Sequence, residues 1–222
     1  MVIWSLFDGS GIMGHPWAEV GHDVYCFNWT DGNHGSYEPI RVNHPKIHYV
    51  NMFIDSDFSN ITAVACLPEP SIIFAFPDCT ELAASGNKHE GHTSLVSVDN
   101  AKMVEAMADA YGVPWMVENP VGKMSTEWRK PDYYFDPHEY GAHLHPDEGS
   151  YHPRMPPCDG YTKKTCIWAG GGFVMPAKRP GPINIGYFWG WKSLGGNSAK
   201  TKQLRSLTPR GFARAVYEAN HA

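Results

Sequence analysis

The 222-residue sequence predicts an α/β fold built on a largely parallel sheet. Short apolar runs alternate with stretches of helical periodicity, and several of these runs are continuous, as in strands that are buried on both faces. The length suits one domain with a sizeable core. The predicted strands cover residues 2–7, 23–27, 48–52, 71–76 and 113–118.

Two helices are predicted with clear ends. Residues from Leu95 to Tyr111 carry apolar side chains on one stripe, and Gly112 can end that helix. A final helix is predicted from about Pro209 to Ala219, with Thr208 as its cap and Pro209 in the first turn.

Two segments lack periodicity. Residues 128–160 are rich in Pro, His, Tyr and Gly and predict an irregular surface excursion, and residues 170–200 are loop-rich. The first segment contains five potential zinc ligands, His138, His143, His145, His152 and Cys158. Their spacing matches neither CxxC nor HExxH, so no metal site is predicted.

The sequence favours a cytoplasmic protein. It has no run of eighteen apolar residues, and its first residues lack the basic region and cleavage site of a signal peptide. The five cysteines are scattered without a disulfide-like framework, which is typical of a reducing compartment.

The charge is distributed unevenly along the chain. The formal net charge is −5, yet ten basic residues and no acidic residue lie between Asp159 and Glu218. A basic lobe attached to an acidic lobe is typical of a surface that binds a polyanion. The sequence therefore predicts a nucleic acid as a partner.

A thiol and a carboxyl group follow two predicted strands. Cys79 lies in the segment Phe76-Pro77-Asp78-Cys79-Thr80 after the fourth strand, and Glu118 lies in Glu118-Asn119-Pro120 at the end of the fifth. Ligands of open α/β sheets bind outside the carboxyl ends of the strands, so both groups should reach the same edge. The pair suits covalent attack on an electron-poor ring with acid assistance.

A glycine-rich turn follows the first strand. In Phe7-Asp8-Gly9-Ser10-Gly11, the glycines allow a ligand to approach the backbone closely. At the end of the second strand, Asp31 could bind a ribose and Trp29 could stack on an adenine. The turn alone would fit many nucleotide-like ligands.

Taken in order, these segments resemble the DNA cytosine-C5 methyltransferases, in the compact form found in phages and bacteria. The glycine turn resembles the family's AdoMet-binding motif, the Cys79 segment its catalytic loop, and Glu118-Asn119-Pro120 its Glu-Asn motif. The segment 161–168 is similar to its basic strand, and Arg205-Ser206-Leu207-Thr208-Pro209-Arg210 matches its Arg-x-Leu-Thr-x-Arg segment. The resemblance spans nearly the whole chain.

The resemblance implies a Rossmann-like class I AdoMet-dependent methyltransferase sheet with a small, irregular, basic C-terminal lobe. It divides the chain into a catalytic domain (residues 1–168), a short recognition segment (169–204) and a C-terminal helix that packs back on the catalytic domain (205–222). The reaction would be methyl transfer from AdoMet to C5 of cytosine in DNA. It would proceed through a covalent bond between Cys79 and C6, with Glu118 holding or protonating N3.

The resemblance also assigns site residues. The catalytic residues would be Cys79, Glu118 and Asn119. The residues that bind S-adenosyl-L-methionine would be Phe7, Asp8, Gly9, Gly11, Trp29, Asp31, Asn51 and Pro77. The residues that contact DNA would be Ser85, Lys163, Lys164, Thr165, Lys200, Lys202 and Arg205.

The sequence departs from the family pattern in four places. Asp78 replaces the usual proline before the cysteine and should raise the thiol pKa. Asn51 stands where the family tends to have an aspartate that contacts adenine. The recognition segment is short, and the last family motif, which completes the AdoMet pocket, does not follow residue 210. Low sequence specificity, or specificity supplied by an accessory partner, is therefore expected.

Two alternatives stay open from the sequence. The same thiol chemistry could act on a free cytidine nucleotide or on single-stranded DNA, or could transfer a different group. Alternatively, the protein could be a catalytically silent relative that binds nucleic acid. Nothing in the sequence indicates an oligomeric state.

Overall fold

The computed structural model describes residues 1–30, 37–55, 57–79, 96–196 and 198–222. Within them, one sheet has the strand order β3-β2-β1-β4-β5-β7-β6. The strands are β1 Val2–Leu6, β2 Asp23–Asn28, β3 Ile47–Asn51, β4 Ile72–Ala75, β5 Trp115–Pro120, β6 Tyr133–Phe135 and β7 Thr165–Gly170.

Strands β1 to β5 are parallel, and β7 is antiparallel to both of its neighbours. The five predicted strands are confirmed to within two residues at each end. The predicted Rossmann-like α/β sheet is therefore confirmed. Strand β4 shows why a continuous apolar run predicts such a strand. All four of its residues are buried, because the strand is covered on both faces.

The described helices lie in the connections between strands and in the C-terminal part. They are α1 His15–Glu19, α2 Phe58–Val64, α3 Val96–Tyr111, α4 Met124–Glu127, α5 Trp189–Ser193, α6 Ala199–Ser206 and α7 Arg210–Asn220, with 3-10 helices at Pro137–His143 and Pro157–Asp159. The end of α3 at Tyr111 is confirmed, and Gly112 follows with φ +65°.

The last helix is confirmed, but its predicted cap is wrong. The Thr208 side chain does not cap α7, which begins at Arg210 after Pro209. Instead the Gly211 N–H donates to the buried carboxylate of Asp159 at 2.9 Å. This acceptor lies 52 residues away in sequence, so local pattern could not identify it.

The sheet separates two apolar layers, because side chains of consecutive strand residues point to opposite faces. Ile3 and Met116 belong to the layer that contains residues of α1 and α7, whereas Trp4 and Val117 belong to the layer that contains residues of α2 and α3. Residues of the central strands β1, β4 and β5 contribute to both layers. The edge where these strands end carries the loops described below.

Residues 128–160 are not an irregular surface excursion, and that prediction is wrong. The segment contains β6, and Phe135 at its end stacks on Phe212 of α7 with ring centroids 4.0 Å apart. Tyr140 is fully buried against the same ring. The segment has no helical or strand periodicity, and its aromatic contacts with α7 hold it in place instead.

The C-terminal part also joins the main core. Phe173, Phe188, Trp189 and Leu204 are buried in the apolar layer that contains Ile3 and Met116. Strand β7 continues across residue 168, where the catalytic domain was predicted to end. Within the described ranges, no helix is long and apolar enough to cross a membrane.

Candidate active site at the carboxyl edge of the sheet

The glycine turn after β1 is organised by Asp8. Its buried carboxylate accepts hydrogen bonds from Ser5 Oγ at 2.8 Å, the Ser10 N–H at 2.8 Å and the Gly11 N–H at 2.9 Å. Phe7 has φ +58°, a conformation that is costly for a side chain of its size. Asp8, predicted to bind the cofactor, therefore shapes the turn with its own carboxylate.

Gly11 is required by geometry. Its φ is +72°, and a Cβ atom there would lie 2.4 Å from the Tyr49 hydroxyl oxygen. That hydroxyl is within hydrogen-bonding distance of the carbonyl oxygens of Ser10 (3.0 Å) and Val42 (2.9 Å). The turn is thereby held against the segment that precedes β3. At Gly9, a Cβ would lie 3.2 Å from the Asn28 side chain, so the backbone is also closely approached there.

Asn51 does not present a free side chain to a ligand. Its Oδ1 accepts from the Thr30 N–H at 3.0 Å, and its Nδ2 donates to the Thr30 carbonyl at 3.1 Å. These two bonds fix the chain after β2 to the end of β3. Asp31, the other polar residue predicted to bind the cofactor here, lies outside the described residues.

Trp29 and Phe53 form an exposed aromatic pair at the ends of β2 and β3. The two residues are 58% and 60% exposed, and their rings are 6.3 Å apart at an interplanar angle of 77°. Sequence reasoning identified Trp29 but missed Phe53. The signal was available, since Phe53 follows β3 at the same edge of the sheet.

The loop that carries Cys79 is fixed to the neighbouring strand and to α3. Pro77 is buried, and its carbonyl accepts a hydrogen bond from Asn119 Nδ2 at 2.9 Å. The Asp78 carbonyl accepts from Ser97 Oγ at 2.5 Å. Asn119 is buried within β5 and holds the cysteine loop through this bond, and its catalytic role stays a prediction. Ser97 was missed by sequence reasoning.

Cys79, Glu118 and Lys163 lie close enough to influence one another electrostatically. Burial raises the pKa of the Cys79 thiol; the charge of Lys163 lowers it, and those of Glu118 and Asp78 raise it. Burial also raises the pKa of Glu118, against the same lysine. The Cys79 loop is fixed to the strand that carries Glu118, so both groups belong to the same edge of the sheet. The charge of Asp78 raises the thiol pKa, which is the expected direction.

Lys163 is held in this site by contacts from two other elements. Its Nζ donates to the Arg205 carbonyl at 2.9 Å and lies 5.6 Å from the centroid of the Phe188 ring. The side chain is only partly exposed. The DNA contact predicted for Lys163 stays a prediction, and its charge also lowers the pKa of both the thiol and the carboxyl group.

The neighbours of Lys163 have different environments. Lys164 is exposed, with Nζ 5.0 Å from the centroid of the Tyr134 ring. Thr165 is buried and donates from Oγ1 to the Lys163 carbonyl at 2.8 Å, so it shapes the start of β7. Burial raises the pKa of Cys166, the next residue, to about 11, and the Glu118 charge adds to this rise.

The remaining predicted DNA contacts lie on α6, apart from Ser85. Lys200 and Lys202 are exposed on α6. Arg205 is partly exposed, but its Nη2 donates to the Leu194 carbonyl at 2.7 Å and so supports the end of α5. Ser85 and the rest of the segment 80–95 lie outside the described residues.

Acidic residues neutralise only one part of the basic lobe. Four ion pairs join it to three glutamates: Lys178–Glu139, Arg179–Glu218, Arg210–Glu148 and Arg214–Glu148. Six other basic residues form no ion pair with any residue that the structure describes: Lys163, Lys164, Lys192, Lys200, Lys202 and Arg205. Four of the six, Lys164, Lys192, Lys200 and Lys202, are exposed, so the cations that the described residues leave available to a polyanion lie at the start of β7, on α5 and on α6.

The histidine-rich segment shows polar contacts rather than a ligand cluster. His143 Nδ1 lies 2.9 Å from a carboxylate oxygen of Glu218. In the part of the chain that the structure describes, no three His, Cys, Asp or Glu side chains are grouped as a metal site would require.

Comparison with known proteins gives distant structural similarities only. No protein-family model matches the chain, and no curated protein sequence does. Among solved structures, it is similar to a presumed DNA modification methyltransferase encoded within an E. coli prophage (14% identity, TM-score 0.44, covering 77% of this chain and 46% of that one). It is also similar to a triple mutant of Spodoptera frugiperda DNMT2 (13% identity, TM-score 0.40, covering 82% and 54%). The chain thus spans about half the length of these two structures.

Proposed function

We propose that this protein transfers a methyl group from S-adenosyl-L-methionine to C5 of cytosine in DNA, through a covalent bond between Cys79 and C6. The observation that carries the proposal is that the Cys79 loop follows β4, Glu118 belongs to the neighbouring β5, and Lys163 precedes β7, which pairs with β5. The charge of Lys163 acts on the pKa of both Cys79 and Glu118. A nucleophile, an acid and a cation in one site are the groups that this reaction needs.

The neighbouring edge of the sheet is where we expect the cofactor to bind. Strand order reverses at β1, which pairs with β2 on one side and β4 on the other, and ligands of such sheets bind at this point. The glycine turn offers close backbone approach, and the exposed Trp29 and Phe53 offer aromatic surface for an adenine. Pro77, just after β4, would border the cofactor from the other side. When bound, AdoMet supplies an electrophilic methyl group.

The proposed reaction begins at the thiol. The Cys79 thiolate forms the Sγ–C6 bond, and the Glu118 carboxyl group gives its proton to N3, so the ring becomes an enamine with a nucleophilic C5. The activated C5 would then accept the methyl group that AdoMet supplies, and the donor would leave as its neutral thioether. Loss of the C5 proton to solvent restores the C5–C6 double bond while the Sγ–C6 bond breaks, and the N3 proton returns to Glu118.

The environment of the two groups suits these roles. A raised carboxyl pKa keeps Glu118 protonated at pH values where an exposed glutamate is ionised, so it can act as the acid. A raised thiol pKa would work against Cys79, and the Lys163 ammonium opposes that rise. Lys163 therefore supports the nucleophile from a position fixed by the Arg205 carbonyl.

The unpaired cations support DNA as the substrate. Lys164, Lys200 and Lys202 are exposed and could neutralise phosphates without reading sequence. A cytosine in a duplex must leave the stack to reach a half-buried thiol. We further propose that residues 169–204 carry the substrate contacts and that an accessory partner or low specificity accompanies so short a segment.

Covalent trapping tests the chemistry. Duplex DNA that contains 5-fluorocytosine should form a denaturation-resistant adduct with the protein in the presence of AdoMet, because fluorine at C5 prevents the final elimination. Cys79→Ser should abolish the adduct, and Cys66→Ser, which removes an exposed thiol elsewhere, should retain it. Failure of the folded wild-type protein to form the adduct, with AdoMet binding demonstrated by calorimetry, would overturn the proposed mechanism.

The substrate is tested separately. Mass analysis of nucleosides from treated DNA should detect 5-methylcytosine. Turnover on duplex DNA should exceed turnover on dCMP and on single-stranded DNA of the same sequence. Faster turnover on dCMP would identify a free nucleotide as the substrate. DNA binding with no heat of AdoMet binding in calorimetry would identify a catalytically silent relative.

A further inference from the structure

A surface at α5 exposes aromatic side chains beside a lysine. Trp191 is 70% exposed and Tyr187 is 38% exposed, while Lys192 Nζ lies 3.9 Å from the centroid of the Tyr187 ring. These three residues are here called the Trp191 platform. A tryptophan with this exposure leaves a large apolar ring in water, and such rings are enriched where proteins bind a partner.

The platform is presented by a firmly anchored turn. Phe188 and Trp189 on the same segment are buried in the core, and Arg205 donates to the Leu194 carbonyl just after α5. At Gly190 a Cβ atom would lie 2.6 Å from the Phe188 ring, so a glycine allows this tight arrangement. The outward position of Trp191 therefore follows from a fixed backbone rather than from a frayed loop.

The platform adjoins the candidate active site. The Trp191 ring meets the Phe188 ring edge-on, with centroids 5.7 Å apart, and Phe188 in turn contacts the Lys163 ammonium that influences Cys79 and Glu118. Two contacts thus connect the exposed tryptophan to the proposed catalytic groups.

The charge around the platform identifies the chemistry of its partner. Lys192 forms no ion pair with a described residue, and the same holds for Lys163, whose ammonium contacts Phe188. Aromatic rings interleaved with unpaired lysines are the combination that binds unstacked bases together with their phosphates. An acidic protein surface would use only the lysines, and an apolar protein surface would use only the aromatic rings.

We propose that the Trp191 platform stacks on an unstacked nucleobase next to the base that enters the Cys79 site, while Lys192 contacts the adjoining phosphate. The position of the target base rests on the proposed function, whereas the stacking itself does not. The platform is thereby the substrate-contacting part of the segment 169–204 and acts without reading base edges.

Fluorescence of 2-aminopurine tests this proposal directly, because stacking on an aromatic ring quenches it. The probe is an oligonucleotide with 2-aminopurine beside a single cytosine, presented as a single strand and in a duplex, without AdoMet. Trp191→Ala should abolish the quenching and weaken binding on the order of tenfold. Trp191→Tyr should retain the quenching and the affinity, since the tyrosine ring can also stack.

Tyr133→Ala provides the matched control, because Tyr133 is an exposed aromatic residue on the edge strand β6. It should leave quenching unchanged. Unchanged quenching and affinity in Trp191→Ala would overturn the proposal, as would a change in oligomeric state on sedimentation without any effect on the oligonucleotide. Because these assays involve no methyl transfer, a protein that quenches but forms no covalent adduct would contradict the proposed function alone.

Discussion

Asn119 in β5 donates a hydrogen bond from Nδ2 to the carbonyl oxygen of Pro77, at 2.9 Å, two residues before Cys79. The donor is buried, so this bond is shielded from water and fixes the cysteine loop to the neighbouring strand. It thereby links the two strand ends that supply the proposed nucleophile and acid. Its removal should affect the position of the thiol more than the fold.

Asn119→Ala should slow formation of the 5-fluorocytosine adduct on the order of tenfold or more, because misplacement of the nucleophile lowers the rate of attack. Asn220→Ala is the control, since Asn220 also donates from Nδ2 to backbone carbonyls, those of Val174 and Val216, but belongs to α7. Rapid-quench trapping measures both. Equal trapping rates in the two variants would contradict a positioning role for Asn119.

Glu118→Gln should lower methyl transfer by about 10²- to 10⁴-fold, because glutamine can donate a hydrogen bond to N3 but cannot give it a proton. Oligonucleotide affinity should change little. Glu105→Gln, at a glutamate of α3 that pairs with Arg129 at 3.9 Å, should retain activity. A Glu118→Gln variant with wild-type single-turnover rates would remove this residue from the mechanism.

Lys163→Met should move the reactivity of Cys79 to higher pH. Burial raises the thiol pKa and Lys163 opposes the rise, so loss of the ammonium raises the pKa further and leaves less thiolate at a given pH. The measurement is the pH dependence of Cys79 alkylation by iodoacetamide in a Cys66→Ser background, because the other three cysteines are buried.

Lys164→Met serves as the control for that experiment. Lys164 carries the same charge one residue further along, but it is exposed over Tyr134 and is absent from the groups that influence Cys79. Its alkylation profile should superimpose on that of the parent, and Lys163→Arg should restore most of the lost reactivity. An unshifted profile for Lys163→Met would show that the lysine does not support the thiolate.

Asp8→Ala should destabilise the protein by about 1–3 kcal/mol, because the N–H groups of Ser10 and Gly11 would lose a buried acceptor. AdoMet binding should weaken as the turn loses its shape. Asp55→Ala removes the acceptor of the Asp57 N–H in an exposed turn and should cost much less. Urea denaturation and calorimetry with AdoMet measure the two effects, and equal losses of stability would contradict the structural role of Asp8.

The positions of the central strands and of the proposed catalytic pair could be predicted from the sequence. Strand β4 is a continuous apolar run, and a parallel sheet brings the ends of β4 and β5 to one edge, so Cys79 and Glu118 had to be neighbours if the fold was right. These features depend on residues close together in the chain. For the same reason the end of α3 before Gly112 was predictable.

Tertiary structure decided how the charged groups are used. The Lys163 ammonium, which lowers the Cys79 pKa, is held by the carbonyl of Arg205, 42 residues away. Asp159 rather than Thr208 caps α7 across 52 residues. Ion pairs with Glu139, Glu148 and Glu218 likewise remove part of the basic lobe from the surface available to a polyanion. The sheet and the reactive residues at its edge could be predicted from the sequence, since periodicity is local. The partners of each charge depended on contacts between distant segments, which form only when the chain packs.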